Sequence, residues 1–479
     1  MSSPSTSLLN RTSQARHSAE GMGTPIAYSR KTTVLIRRNC SRIRFPTIVG
    51  AHVEPMGTIG VPPPDQPTVG KRAEDKIGTL PPERLSCSVS SDFLRFSKLV
   101  LAAMSSEVAA PRSRFSIREA KALVKDLSKP NPWIYWTDFL LTVLTGHVAF
   151  HVMLELGRLT ELSGAAFWAA KIGLFALVAV LYMRAVMFIH ELVHLPKEGF
   201  RAFRFVWNLL CGIPFLVPSF LYYPHVDHHR RKHYGTDRDG EYLELSHRPP
   251  SHSIAFILAA WLVPFAAFIR FALLTPIGWF FPQVQAWVEK HASSMVVDIF
   301  YTRGDFGPKA RRIMRIQEVL CFLWCIVLVA RAPIVSGQLI DGFLVHAYLL
   351  SVTLITINNV RTLGAHRWMG DGRELSFEEQ LLDSVNYPYR PWFTELWGPV
   401  GTRYHAIHHL FPSIPYHNLG KAHRRLMEGL PPDSIYRDTI RVSLIGAIGE
   451  LLQRAAENSR NKKKQATEPQ DKKPNATAA

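Results

Sequence analysis

Four stretches of this chain are so long and apolar that a bilayer would leave their backbone one solution. Residues 133–153, 166–189, 316–332 and 338–357 are dominated by Leu, Val, Ile, Phe and Ala. Inside a membrane each backbone N–H and C=O must find its partner within the protein, so runs of this length are read as spanning helices. The mean hydropathy of +0.02 conceals them, because basic polar segments alternate with the apolar ones. Two further apolar stretches resist the same reading. Residues 205–223 are broken by Gly212, Pro214 and Pro218, and residues 254–281 by Pro264, Arg270 and Pro276. Proline removes a donor and obstructs the preceding turn. The first stretch is therefore expected to be shallow or re-entrant, and the second to lie in the interface. The fold class that follows is an all-α membrane protein with about four transmembrane helices plus interfacial helices.

Histidine is distributed as unevenly as hydropathy. His190 and His194 stand four apart at the end of the second span. His225, His228 and His229 form an H-x-x-H-H pattern that recurs as His405, His408 and His409. On a helix, positions i, i+3 and i+4 share one face. A buried histidine needs only one or two hydrogen-bond partners, whereas three single-face clusters are what a polynuclear transition-metal site requires. Imidazole suits iron, copper and zinc, and one zinc takes three or four protein ligands. Eight histidines, or nine with His366, would serve two metals at about four or five each. The clusters must then share one side of the membrane, so an even number of crossings separates the second from the third. His147 and His151 fall near the opposite interface and are set aside as ligands. Two iron ions with such ligands beside a bilayer suit O2 activation and removal of hydrogen from a lipid chain.

The formal charge of +18 would suit nucleic acid, but no basic helix or stacking platform of a nucleic-acid module is visible. A basic face against anionic lipid fits better. The tail, with Lys462, Lys463, Lys464, Lys472 and Lys473, places the histidine-rich cap on the cytoplasmic or stromal face by the positive-inside rule. Of five cysteines, Cys321 and Cys325 lie inside an apolar run, and no disulfide framework is implied. Residues 1–103 are rich in Ser, Thr, Pro and Gly and poor in acids early on. They read as a disordered extension: a transit segment, or sequence ahead of a natural start at Met104. The catalytic domain is expected over 104–454, opening on an amphipathic helix capped by Ser116. Residues 440–454 read as an interfacial helix and 455–479 as a basic, disordered tail.

The three boxes, H-x3-H, H-x2-H-H and H-x2-H-H, interleaved with spans, resemble the membrane fatty acid desaturase and hydroxylase superfamily. The phrase His408-His409-Leu-Phe-Pro-Ser-Ile-Pro-Tyr-His417 is similar to that family's third box, and the likeness covers about 132–438. The resemblance implies two iron ions, O2 as oxidant and two electrons from an external carrier. By position it implies His190, His194, His225, His228, His229, His405, His408 and His409 as ligands. The family usually adds an isolated histidine before the third box, a place that His366 occupies. Where relatives often carry asparagine one turn earlier, this chain has Thr362. The third-box phrasing points to an acyl-lipid or sphingolipid-type desaturase. Lipid, carotenoid or alkane hydroxylation and ketolation are the alternatives on the same site. No fused haem domain is visible, so a separate ferredoxin or b-type cytochrome is expected to dock on the basic face.

Around the boxes, Glu191 and Asp227 are candidates for orienting imidazoles, and His233 and His417 for supporting the ligands from outside. One rival uses few residues. His190-Glu191-Leu192-Val193-His194 is also H-E-x-x-H, a zinc protease signature with Glu191 as base, for which Asp341 would be a third ligand. It leaves both H-x-x-H-H boxes without a purpose.

Overall fold

The computed structural model describes residues 115–467, and the expected extension 1–103 lies outside them. Among the described residues there are helices and isolated bridges but no named strand.

The chain begins with α1 (Ile117–Val124), whose N-cap Ser116 accepts from the Glu119 amide as expected. Asn131 caps α2 (Pro132–Leu154) by accepting from the Trp133 amide, with Pro132 at the first helical position, where its missing N–H costs nothing. α2 pairs antiparallel with α3 (Gly164–His194), so the start of α2 and the histidine end of α3 lie together. At that end Tyr135, Phe139, Phe188, Phe203 and Tyr416 interlock edge to face, each with neighbours at centroid separations of 5.1–6.2 Å. Offset aromatic contacts of this kind add about 0.5–1.5 kcal/mol per pair beyond burial. Away from this core, Leu141, Val148 and Ile172 face outwards, as a lipid-covered surface requires.

The charges Arg184 and Asp138 within the first two spans are partnered. Arg184 donates to both Asp138 oxygens and to Glu395, and Tyr416 donates to Asp138 at 2.7 Å. These contacts tie α2 and α3 to the cap.

α4 (Arg201–Trp207) runs into a wide turn at Asn208–Gly212 before the chain reaches Ser219–Tyr222. Pro214 has no N–H to give the Leu210 carbonyl four residues back. His147 Nε2 supplies it instead, at 3.2 Å, while His147 Nδ1 accepts from the Tyr182 hydroxyl at 2.8 Å. His147 is thus a structural histidine, which agrees with its exclusion as a ligand. The second box follows as the single turn α5 (His225–His228).

Five helical segments are long and apolar enough to cross a membrane, one more than the sequence reading favoured. The extra one is Val263–Phe280, which joins α7 (Val263–Ile269) to α8 (Thr275–Phe280). Its neighbours show that it returns to the side it came from. Before it, in α6 (Pro250–Leu258), the Phe256 carbonyl accepts from Asn359 near the cap. After it, the Met295 amide donates to the Leu221 carbonyl beside the second box. Within it, Arg270 is satisfied by Glu318, Thr275, Ser293 and the Ala292 carbonyl. After α9 (Pro282–His291), α10 (Pro308–Ser336) descends and turns at Gly337, whose φ of 68° suits glycine. α11 (Gly342–Ala365), capped by Asp341, climbs back and delivers His366 at its C-cap. Four crossings bring all three boxes to one side, as parity demands.

The cap is completed by α12 (Phe377–Asp383), α13 (Pro391–Trp397), α14 (His405–Leu410) and α15 (Tyr416–Gly429). Residues 383–387 thread between His366 and His405. The Arg367 amide donates to the Asp383 carbonyl, Val385 to Ala365, Tyr387 to Arg403 and Ala406 to Val385. The last helix, α16 (Leu444–Thr467), corrects the sequence reading, because it continues well past 454 into the segment expected to be a disordered tail.

Candidate metal centre

The nine candidate histidines gather into two groups. His190, His194, His225, His229 and His408 form one, and His228, His366, His405 and His409 the other; within each group the ligand-capable atoms lie within 4.8 Å of one another. The two H-x-x-H-H boxes divide in opposite senses. The second box sends its i and i+4 residues to the first group and its i+3 residue to the second. The third box does the reverse.

Three carboxylates set the imidazoles. Glu241 lies 2.9 Å from His225 Nδ1, and Asp239 lies 2.8 and 3.0 Å from His228 Nδ1. His366 Nδ1 is 2.8 Å from the Tyr234 hydroxyl, which itself donates to Asp383 at 2.6 Å. A carboxylate only accepts, so these contacts hold the proton on Nδ1 and turn the Nε2 lone pair inwards. Those lone pairs meet head on. His228 and His366 are 3.2 Å apart through Nε2, and His405 and His366 are 2.8 Å apart. His229 stands 2.9 Å from His225 and 3.1 Å from His408.

Facing lone pairs repel unless a cation lies between them. For metal–imidazole bonds of about 2.1 Å, two nitrogens at right angles are about 3.0 Å apart, the spacing seen here. The buried atoms without a hydrogen-bond partner include both His190 nitrogens, His194 Nε2, His229 Nδ1, His405 Nδ1 and His408 Nδ1. An unsatisfied buried polar atom costs about 1–3 kcal/mol. The donor set fits two imidazole-ligated metal ions.

Electrostatics agree with that fit. Burial, and then neighbouring imidazoles, hold the pKa values of His225, His229, His405, His408 and His409 well below the usual range, favouring the neutral ligand form. Burial pulls His228 the same way, but Asp239, Glu241 and Asp383 outweigh it and raise its pKa. Burial pushes Glu241 up to about 7. A cation at His225 would draw it back to the carboxylate. Burial also works against the Asp383 carboxylate, yet His366, the Met369 amide and Tyr234 hold its pKa below the usual value.

The residues expected to support the ligands are placed otherwise. Glu191 accepts from the Tyr135 hydroxyl and, at 3.2 Å, from the Tyr416 amide, not from an imidazole. Asp227 pairs with Arg230 and, at 3.4 Å, with His233, so neither enters a group. Thr362 accepts from Arg361, and His417 Nε2 accepts from the Asn131 amide at the start of α2. Sequence reasoning missed Asp239, Glu241, Asp383 and Tyr234. The first two carried a signal, as an acidic pair in the polar segment shortly after the second box. Asp383 carried none, because threading brings it to His366 from a distant helix. The protease reading fails on placement: Glu191 is occupied, and Asp341 pairs with Arg331 at the far end of α11 from His366.

Along the half of α11 away from His366, an apolar cavity of about 1000 Å³ opens among α2, α3, α7, α10 and α11, and none of the nine histidines lines it. Tyr182, Phe215, Phe265, Phe343, Leu350 and Leu354 are among its lining residues.

Comparison with known proteins gives a consistent picture. The fatty acid desaturase family matches residues 166–441. A ceramide hydroxylase of Caulobacter vibrioides (strain NA1000 / CB15N) is 36% identical over 347 residues, covering 71% of this chain and 94% of that protein. No solved structure matches.

Proposed function

The chain belongs to the fatty acid desaturase family, and from that premise we propose that it is an O2-dependent di-iron hydroxylase of ceramide-type lipid chains. The observation that carries this reading is the facing of Nε2 lone pairs in two carboxylate-set groups at the membrane boundary. The nine histidines would hold two iron ions, the group of His190, His194, His225, His229 and His408 one of them and the group of His228, His366, His405 and His409 the other. Iron held there would supply the activation of O2 needed to attack an unactivated C–H bond. For hydroxylation, one O2, two electrons and two protons convert C–H to C–OH and release one water. Desaturation uses the same reagents, removes two hydrogens and releases two waters.

The named activity of the relative favours hydroxylation over the desaturation that the third-box phrasing suggested. The chain's own residues do the rest. Glu241, Asp239 and the Tyr234–Asp383 pair hold protons on Nδ1 and aim Nε2. The aromatic knot around Tyr135 and Tyr416 seals the cap end of α2 and α3 from water, and the apolar cavity receives the lipid chain. The cap faces the cytoplasm, where a ferredoxin or b-type cytochrome delivers electrons to its basic surface.

The test is iron content of detergent-purified protein, paired with mass spectrometry of lipids from cells that make it. About two irons per chain and a ceramide gaining one oxygen are expected. A ceramide losing two hydrogens instead would reassign the outcome to desaturation. An unchanged lipid profile with an iron-loaded protein and a reductant supplied would refute the reading.

A further inference from the structure

Arg361 is the one feature near the site that neither the fold nor the metal groups explain. It is buried, at 7% exposure, one turn before His366 on α11. Its hydrogen bonds stay on its own helix: Nε and Nη2 reach Asn358 Oδ1 at 3.4 and 3.0 Å, and Nη2 reaches Thr362 Oγ1 at 3.2 Å. Nη1 makes none, and it is not among the atoms sealed off by protein. Arg361 forms no ion pair among the described residues; the acid that acts on it from further away, Glu241, is already held by His225 and Tyr222. A buried guanidinium left like this is costly unless something polar completes it. Other deep arginines in this chain are completed: Arg184 by Asp138 and Arg270 by Glu318.

Its position says what that partner is. Along α11, Phe343, Ala347, Leu350 and Leu354 follow the helical period and line the apolar cavity. Arg361 is seven residues beyond Leu354, two turns on and on the same face, about 10 Å along the axis. The apolar stripe therefore ends in a cation beside the histidines. A lipid inserted in its ordinary bilayer orientation would place its chain along the stripe and its polar end at Arg361.

We propose that Arg361 binds the carbonyl and hydroxyl oxygens at the polar end of the substrate, and so confines oxidation to the carbons next to the headgroup. This inference rests on the proposed lipid oxidation and adds where on the lipid it occurs. Nη1 offers two N–H donors that the protein leaves unused, enough for an amide carbonyl and a neighbouring hydroxyl. With the polar end at Arg361, which lies within electrostatic reach of His190 and His405, the first few carbons stand beside the histidines and the rest of the chain runs along the stripe into the cavity.

Two measurements test this. Fragmentation of the wild-type product locates the new oxygen or double bond, and it is expected within a few carbons of the amide. A site in the middle of the chain overturns the inference, whatever any variant does. Separately, anisotropy of a ceramide with a fluorescent acyl chain reads binding to detergent-solubilised protein without reductant. Arg361→Met should weaken binding at least tenfold and raise KM far more than it lowers kcat, with iron content unchanged; Arg361→Lys should fall between. Wild-type affinity in Arg361→Met would overturn the assignment. If the wild type binds ceramide through Arg361 yet oxidises nothing, the proposed function fails and the binding assignment stands.

Discussion

Replacing Asp239 by asparagine changes one acceptor oxygen into a donor at almost constant volume. Both oxygens of Asp239 are committed as acceptors. They take His228 Nδ1 at 2.8 and 3.0 Å, the Gly235 amide at 3.1 Å and the Glu241 amide at 3.0 Å. An asparagine can turn its carbonyl to only one of those amides, and its NH2 then meets the other donor to donor. A hydrogen bond to a charged group contributes about 1.5–3 kcal/mol, and here one is lost and an amide is stranded. His228 also loses the anchor that holds its proton on Nδ1. Disturbing such a carboxylate–histidine pair typically lowers metal affinity 10–100-fold, or about 1.4–2.7 kcal/mol. The loss should fall on the group of His228, His366, His405 and His409, because Asp239 bonds no imidazole of the other. The assay is iron per chain after graded chelator treatment, with circular dichroism as a check on folding. Asp239→Asn is expected to release about half its iron at 10–100-fold less chelator than the wild type, and the other half at the wild-type concentration. Release of both ions together, or no shift at all in a folded protein, would refute the division into two carboxylate-set groups.

Two further outcomes follow from the cap. His423 is buried, with Nδ1 2.7 Å from the Tyr436 hydroxyl, and burial, then Arg403 and Arg424, lower its pKa to about 4. Its folded pKa lies below the unfolded value near 6.5, so its neutral form is the stabilised one. That stability is complete above pH 6.5 and is lost as pH falls towards 4, by on the order of 3 kcal/mol. His423→Phe should therefore lose less Tm between pH 7 and 4.5 than the wild type; equal losses would contradict the assignment. At Gly364 an added Cβ would meet the Tyr387 hydroxyl at 2.8 Å as well as the Leu444 side chain, and Tyr387 itself donates to the Gly364 carbonyl at 2.6 Å. Gly364→Ala should cost about 1–3 kcal/mol by overpacking, read as a drop in Tm in detergent, and an unchanged Tm would show that α16 can simply step aside.

What was legible in the sequence was whatever a local period encodes. The spans, the Ser116 cap and the three boxes are each written within a turn or a run of neighbours. Residues 254–281 were expected to lie in the interface; Val263–Phe280 has the length and apolarity to cross, and the contacts on either side of it, Asn359 with Phe256 and Met295 with Leu221, both lie near the boxes. What was not legible depends on chain segments meeting from afar. No spacing shows that His408 joins His190 and not His405, or that Asp383 reaches His366. Glu191 misled for the same reason, since its place beside two histidines suggested an orienting role, while the packing of Tyr135 and Tyr416 claimed it. The helix beyond 454 was missed because a lysine-rich composition reads as solvated tail when its contacts to Ser246 and His247 cannot be foreseen.

The crossed division of the two boxes has a consequence for the order of events during synthesis. His408 completes one group, and His405 and His409 complete the other, so neither is whole until the last box has left the ribosome. By then all four crossing helices precede it in the chain and can already be in the bilayer. A nascent or truncated chain that stops short of the last box holds at most four of the first five imidazoles and two of the second four, and the strip at 383–387 is then without its later partners Arg403 and Ala406. Neither metal-binding group can therefore be complete before the cap that buries it has been made.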